Sequence, residues 1–234
     1  MPLPPQRALT TATLLALALA VGQSPALAAA PSAANRASHQ LAPAPLLQEA
    51  IAGLPVAAED RTGYQRTSFR HWIDADGDGC STRAEVLLEE AVTTPSIGPG
   101  CVLTGGSWHS YYDDTVVEAA AGLDVDHLVP LAEAWDSGAS TWNSAEREAY
   151  ANDLEAPHHL VAVTARSNRQ KADKDPSQWL PPYEPARCRY IAEWTAVKLR
   201  WALTADPAEK ATLTTLAQGC PNVPLPASTD EIAR

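Results

Sequence analysis

The order of apolar and polar positions along the chain predicts a mixed α+β domain. An alternation over Leu123–His127 and a continuous apolar run at residues 160–163 predict two strands. Apolar pairs at 102–103 and 116–117, separated by an aromatic cluster at 108–112 and by glycine-rich turns, predict further short strands.

Helical patterns surround these strands. The end of the chain holds two long amphipathic patterns, the first of which collects aromatic residues on one side, so we expect a packed C-terminal helix pair. Ser144 and Ser167 stand where N-caps are expected. The predicted helices comprise residues 46–54, 83–91, 128–135, 145–153, a short helix after Ser167 that carries Asn168 and Lys171, and then 187–203 and 207–217.

The first residues have the pattern of an export signal. Arg7 precedes an apolar run at 8–21 that is too short to span a bilayer, and a small-x-small site follows at 26–28. We therefore expect a signal peptide over 1–28, a disordered Ala/Pro/Ser-rich leader over 29–45, a single domain over 46–220 and a flexible tail over 221–234. No later run is long enough to cross a membrane, so the predicted product is secreted and extracellular.

Four cysteines follow the predicted signal, and none forms a C-x-x-C pair. Export and this spacing favour two disulfides over a metal or redox site. Of the three possible connectivities we favour the local one, Cys80 with Cys101 and Cys188 with Cys220, because each bond closes a short loop around one structural unit.

The most informative stretch lies between residues 124 and 181. It contains DVDHLVPL, and later LVAVTARSNRQKADKD followed by DPSQWLPP. The first piece is similar to the opening of HNH endonucleases and the second to their closing metal-binding helix. With the C-x-Y-x-x-x-W-x-x-V-K helix, the chain resembles secreted bacterial HNH proteins related to the C-terminal domain of GmrSD restriction endonucleases, over about residues 64–220.

The resemblance implies a ββα-metal (HNH, His-Me finger) core with flanking helices. In it His127 is the general base, while Asp126 and Asn168 are catalytic residues that bind a divalent metal, Mg²⁺ or Mn²⁺. Strand alternation separates the roles of Asp126 and His127. Taken alone, an Asp-His pair is typical of a surface, and Asn168 could be an ordinary exposed helix residue.

The chain departs from the family at the middle asparagine, which aligns with His159 and less well with His158. A histidine can keep the bracing role of that asparagine by donating to a backbone carbonyl, the interpretation we favour. Alternatively, His159 is a third metal ligand, which would favour Zn²⁺. The other histidines, His39, His71 and His109, have no spacing that suggests chemistry.

The net charge of −11 argues against tight non-specific binding of nucleic acid by a globally basic surface. A local cluster of cations at 166–174 offsets this near the candidate site. We expect phosphate contacts from Arg166, Arg169 and Lys171, with Lys174 nearby, and the alternative is a solvated face that balances Asp173 and Asp175.

Residues 74–85 (DADGDGCSTRAE) match the spacing of an EF-hand loop. Asp74, Asp76, Asp78 and Glu85 occupy the ligand positions, and Gly79 permits the turn. We expect a structural Ca²⁺ there, the alternative being an acidic loop without metal.

Together these patterns predict a secreted, metal-dependent endonuclease that cleaves DNA or RNA, with nucleic acid as its partner and no membrane association after signal cleavage. Which nucleic acid it prefers and its oligomeric state stay open. The rival hypothesis is a calcium-binding extracellular module with a vestigial HNH site, which the acidic charge favours.

Overall fold

The computed structural model describes residues 44–226, which lie within one compact unit, Leu41–Arg234. The predicted signal peptide, nearly all of the leader and residues 227–234 of the tail lie outside the described residues. The helices are α1 Leu47–Gly53, α2 Thr82–Glu89, α3 Leu131–Asp136, α4 Ser144–Ala151, α5 Ala165–Lys171, α6 Arg187–Arg200 and α7 Pro207–Ala217. The strands are β1 Ser96–Gly98, β2 Val102–Thr104, β3 Trp108–Ser110, β4 Thr115–Val117, β5 Leu123–His127 and β6 Leu160–Thr164.

The strands pair into antiparallel two-stranded sheets, β1 with β2, β3 with β4 and β5 with β6. In the last pair Leu123 lies opposite Thr164 and His127 opposite Leu160, and α5 begins directly after β6. The mixed α+β class is thus confirmed, and β1 is a strand that the sequence analysis did not predict.

Two predicted helix caps are wrong by a few residues. Asn143 has an extended backbone conformation and caps α4. Its side chain accepts hydrogen bonds from the backbone amides of Ala145 and Glu146, and its own backbone amide donates to the Glu146 carboxylate. Ser144 is therefore the first residue of the helix. In α5 the cap is Thr164, because its hydroxyl accepts the amide hydrogen of Ser167.

Two apolar clusters hold the domain together. The larger one joins α1, α3, α4, α6 and α7 around fully buried Tyr150, Tyr190 and Trp194. The smaller one lies between α2, β3, β5 and β6, where buried Trp108 donates its indole N–H to the Leu87 carbonyl at 2.6 Å. The β5–β6 pair separates these clusters and so has a packed partner on each side.

Both predicted disulfides are confirmed, Cys80 with Cys101 and Cys188 with Cys220. The first joins the acidic loop before α2 to the β1–β2 turn, and the second joins α6 to the segment after α7. Residues 221–226 are not frayed, although they belong to the predicted tail. Val223 and Leu225 pair with the segment at Pro45 and Leu47, and the Leu225 side chain is buried.

A buried cluster of charges links α3, α6 and α7. The ammonium of Lys198 is fully buried and contacts Glu133 at 2.7 Å and Glu209 at 2.8 Å. It also donates to the Ser137 hydroxyl at 2.8 Å and the Thr204 carbonyl at 2.7 Å.

Within residues 44–226, no helix is long and apolar enough to cross a membrane.

Candidate active site

His127, the last residue of β5, lies at a cavity of about 330 Å³. Its Nε2 lies 2.9 Å from the Ala151 carbonyl oxygen at the end of α4. A carbonyl can only accept a hydrogen bond, so Nε2 carries the proton and Nδ1 keeps its lone pair. Burial, and secondarily His159, hold the pKa of the imidazole well below its usual value. His127 is therefore neutral near pH 7 and able to accept a proton at Nδ1.

Asp126 lies on the opposite face of β5 and also lines this cavity. Its carboxylate accepts a hydrogen bond from the Tyr112 hydroxyl at 2.6 Å and contacts the Lys171 ammonium at 2.8 Å. Burial raises the pKa of Asp126, and Lys171 opposes this shift. Because a carboxylate offers about four lone-pair positions, these contacts leave Asp126 further capacity as a ligand.

Asn168 faces the same cavity from α5. Its amide nitrogen donates to Asp124 at 3.2 Å, which leaves the amide oxygen available. The adjacent Arg169 lies 3.5 Å from the same Asp124 carboxylate, and most of its side chain is exposed. The structure thus brings His127, Asp126 and Asn168 to one cavity, with a hard oxygen donor set that fits Mg²⁺ or Mn²⁺.

The basic residues of α5 and of the segment that follows it divide into two groups. Arg166 and Arg169 are exposed, as phosphate contacts require, and Lys174 is exposed with its ammonium bonded to the Gln170 carbonyl. Lys171 is fully buried, and its ammonium contacts Asp126 and, at 3.0 Å, the His127 carbonyl. The expected phosphate contact from Lys171 therefore does not fit the fold, because the α5 face that carries it packs on β5.

His159 is fully buried beside this site. Its Nε2 lies 2.7 Å from the Tyr150 carbonyl, and its Nδ1 lies 4.0 Å from Asp153. His127 and His159 therefore contact the two successive carbonyls at the end of α4. Burial lowers the pKa of His159 to about 4 and also that of His158 to about 4.

Three residues near His127 belong to the segment before α2 and were not among the predicted site residues. Arg66 lines the cavity, and the Trp72 ring lies 5.2 Å from the His127 ring, centroid to centroid. The His71 ring, which we considered incidental, lies 6.2 Å from it. No local periodicity marks these residues, and only their mixture of aromatic and basic types set the segment apart.

The acidic loop at 74–85 forms a compact cluster. Carboxylate oxygens of Asp74, Asp76 and Asp78 lie within 4.8 Å of one another. Asp74 accepts bonds from the amides of Gly77 and Gly79. Within residues 44–226, Oε2 of Glu85 is buried and has no hydrogen-bond partner. Burial, followed by the three aspartates, raises the pKa of the Glu85 carboxyl.

Residues 88–216 match the family model described as GmrSD restriction endonucleases, C-terminal domain. The chain is also 40% identical over 174 residues to an "Uncharacterized secreted protein" of Arthroderma benhamiae, an alignment that covers 74% of this chain and 84% of the relative. No solved structure matches the chain. The family match contains β5, β6 and α5 with their cavity residues, and begins after Arg66 and Trp72. The chain therefore belongs to the family of GmrSD restriction endonuclease C-terminal domains.

Proposed function

We propose that this protein is a metal-dependent endonuclease that hydrolyses phosphodiester bonds of DNA or RNA, with β5, β6 and α5 as a ββα-metal core. The observation that carries the proposal is the neutral His127 imidazole, which lines one cavity with Asp126 and Asn168 and whose Nε2 is bonded to the Ala151 carbonyl, so that Nδ1 keeps its lone pair. Membership of a family named for restriction endonucleases supports the same reaction class.

In the proposed reaction His127 acts as general base. A water molecule gives a proton to Nδ1 and its oxygen bonds to phosphorus, while the P–O bond to the leaving sugar oxygen breaks and that oxygen takes a proton from solvent. Nε2 stays bonded through its proton to the Ala151 carbonyl, which fixes the ring. The environment disfavours the imidazolium, so the proton passes on to solvent and the neutral base is restored.

Asp126 and Asn168 would hold the divalent ion, Mg²⁺ or Mn²⁺. When bound, such an ion supplies positive charge that stabilises the leaving oxyanion. Lys171 keeps Asp126 in place through its ammonium contact. For His159 we propose bracing rather than ligation, because its Nε2 is committed to the Tyr150 carbonyl. This assignment makes Zn²⁺ the less suitable ion.

Arg169 and Arg166 are proposed to contact the nucleic-acid backbone. Both are exposed on the helix that carries Asn168, and guanidinium groups bind phosphate through paired hydrogen bonds. The net charge of −11 confines attraction for phosphate to such local patches.

The test is incubation of the oxidised protein with plasmid DNA and with RNA, first in EDTA and then in Mg²⁺, Mn²⁺, Ca²⁺ or Zn²⁺. We expect cleavage that depends on Mg²⁺ or Mn²⁺, and a loss of about 100-fold to 10,000-fold in His127→Ala. His109→Ala is the matched control, since His109 is exposed and pairs with Asp114 at 2.8 Å. Equal cleavage by His127→Ala and His109→Ala would contradict the role of His127.

We further propose that the protein is secreted. The support is the signal-like pattern of residues 1–28 and a relative whose name describes it as secreted. N-terminal sequencing of protein collected from the culture medium should begin at or near residue 29. Recovery of the full-length chain inside cells alone would contradict export.

We also propose a structural Ca²⁺ at the acidic loop. The support is the EF-hand spacing, the clustered aspartates and the inward Glu85 oxygen without a partner among residues 44–226. Calorimetry should show Ca²⁺ heats that Asp76→Ala removes and that Glu89→Ala, an exposed acidic control on α2, retains. Calcium binding in a protein that cleaves no nucleic acid would favour the rival function, an extracellular binding module.

A further inference from the structure

Residues 64–72, called the strap below, reach the catalytic cavity from outside the family match. The match begins at residue 88, yet Arg66 lines the cavity and the Trp72 ring lies against the ring of His127, the proposed general base. We propose that the strap completes the active site, with Arg66 binding the phosphate of the substrate and Trp72 holding the His127 ring. This inference rests on the proposed nuclease function and adds residues that the family match does not contain.

Arg66 differs from the neighbouring cations in having no carboxylate partner. Arg61 pairs with Asp136 at 2.6 Å, and Arg169 lies 3.5 Å from Asp124. Lys171 is committed to Asp126. Among the carboxylates of residues 44–226, none forms an ion pair with Arg66, whose side chain is exposed. It therefore provides the cavity with positive charge that no described carboxylate neutralises.

The strap is anchored firmly enough to position such a group. Its Phe69 side chain is buried against the Tyr150 ring, with centroids 6.1 Å apart. The Arg147 guanidinium donates to the Ser68 carbonyl at 3.2 Å, and the Asn152 amide donates to the Arg70 carbonyl at 2.8 Å. Since α4 also carries the carbonyls that hold His127 and His159, one helix orients both the strap and the base.

Trp72 adopts an unusual backbone conformation at this point. Its φ of 60° lies in the left-handed region, which is unfavourable for a bulky side chain and persists only where surrounding contacts enforce it. In this conformation the indole lies over the imidazole with an interplanar angle of 31°. Trp72 is thus a positioning residue, because it restricts the ring whose Nδ1 must face the attacking water.

The chemistry of phosphoryl transfer gives Arg66 a specific task. Negative charge on the non-bridging oxygens must be neutralised as water attacks, and a guanidinium can donate to two of these oxygens at once. Lysine keeps the charge but lacks the planar fork. Arg66→Lys should therefore recover part of the loss that Arg66→Ala causes.

The test compares Arg66→Ala, Arg66→Lys and Arg70→Ala with the wild-type protein. Arg70 is the matched control because it lies on the same strap, is largely exposed, and pairs with Glu148 at 3.3 Å outside the cavity lining. With an oligonucleotide duplex and the most active ion, kcat/KM should fall on the order of 100-fold in Arg66→Ala, and less in Arg66→Lys. Arg70→Ala should stay within about two-fold of wild type.

A binding measurement separates phosphate contact from a structural effect. In a His127→Ala background, which allows binding without turnover, Arg66→Ala should reduce the slope of log K against log salt by about 1. Each Arg66 variant should unfold thermally at the same temperature as its parent, wild type or His127→Ala, since the Arg66 side chain is exposed.

The outcomes separate the two proposals. If wild type cleaves and Arg66→Ala behaves like Arg70→Ala in both rate and salt slope, the strap has no such role and the nuclease assignment stands. If wild type cleaves no nucleic acid with any ion, the nuclease assignment fails, and the strap proposal fails with it.

Discussion

Two fully buried lysines occupy contrasting environments in this domain. Lys198, in the C-terminal helical unit, contacts two carboxylates, a hydroxyl and a carbonyl. Lys171, beside the cavity of the candidate active site, contacts one carboxylate, Asp126, and one carbonyl. Burial by itself would lower the pKa of both ammonium groups, and nearby carboxylates oppose this effect. At Lys198 the two carboxylates outweigh burial and the pKa is raised, whereas at Lys171 burial outweighs Asp126 and the pKa is lowered.

The difference shows how a structural charge cluster and a candidate active site can be told apart. Around Lys198 negative charge is in excess and every donor is used, so the ammonium cannot be replaced without leaving buried charge behind. Around Lys171 one ammonium faces one carboxylate, that of Asp126, and Asp126 also lines a cavity. The second arrangement suits a site where a divalent cation joins Asp126.

The largest expected effect on stability comes from removing the ammonium group of Lys198. Lys198→Met should lower the free energy of unfolding by about 3 to 5 kcal/mol, because Glu133 and Glu209 stay buried without a cation. Denaturant unfolding at pH 7 measures the loss. Lys174→Met is the control, since Lys174 is exposed, and should change stability by less than about 0.5 kcal/mol. A loss at Lys198 as small as the control value would contradict the structural role.

The disulfide in the same helical unit should also contribute to stability without affecting the candidate active site. Replacing Cys188 and Cys220 together by alanine should cost about 3 to 4 kcal/mol of stability, because the bond closes a loop of 32 residues. Cleavage activity per folded molecule should not change, since neither cysteine lines the cavity of the candidate active site. Unfolding and cleavage measured on the same preparation test both statements, and a selective loss of cleavage would contradict the second.

Glu90 is a largely buried carboxylate that forms no ion pair with any side chain of residues 44–226. Burial raises the pKa of Glu90 to about 7, although the Ala162 amide donates to its carboxylate at 2.9 Å. With an ordinary value of 4.5 in the unfolded chain, the unfolded state loses this proton first, so its contribution to stability falls as pH rises from 4.5 to about 7.

Glu90→Gln should remove this part of the pH dependence. Between pH 5 and pH 8, wild type should lose about 2 to 3 kcal/mol more stability than the variant. Glu89→Gln, an exposed neighbour, is the control. Parallel pH profiles for wild type and Glu90→Gln would show that Glu90 is ionised in the fold throughout.

The smallest expected effect on stability comes from removing the ammonium group of Lys171. Lys171→Met should cost about 1 to 3 kcal/mol, because Asp126 loses the ammonium but keeps the hydrogen bond from the Tyr112 hydroxyl. Mn²⁺ affinity measured by calorimetry should rise, since the ion no longer competes with the ammonium for Asp126. A loss as large as that of Lys198→Met, with weaker Mn²⁺ binding, would remove the distinction between the two sites.

The sequence predicted those parts of the fold that depend on local patterns. β5, β6, α6, α7 and both disulfides followed from apolar spacing and cysteine positions. The caps of α4 and α5 were misplaced because neighbouring polar residues compete for the same role, and only the backbone decides between them.

The candidate site divides in the same way. His127, Asp126 and Asn168 could be identified because they belong to short ordered motifs around β5 and α5. Arg66 and Trp72 could not, because tertiary contacts to α4 bring their aperiodic segment to the cavity. The burial of Lys171 was also hidden, since its polar neighbours in α5 resemble an exposed helix face.

The pairing of Pro45 and Leu47 with Leu225 and Val223 has a topological consequence. The two ends of the described chain lie side by side, so the folded backbone nearly forms a closed ring. A short linker could join these ends while new termini open in an exposed turn elsewhere, with the order of elements rotated and their packing kept. The connectivity of this domain is thus largely separable from its architecture.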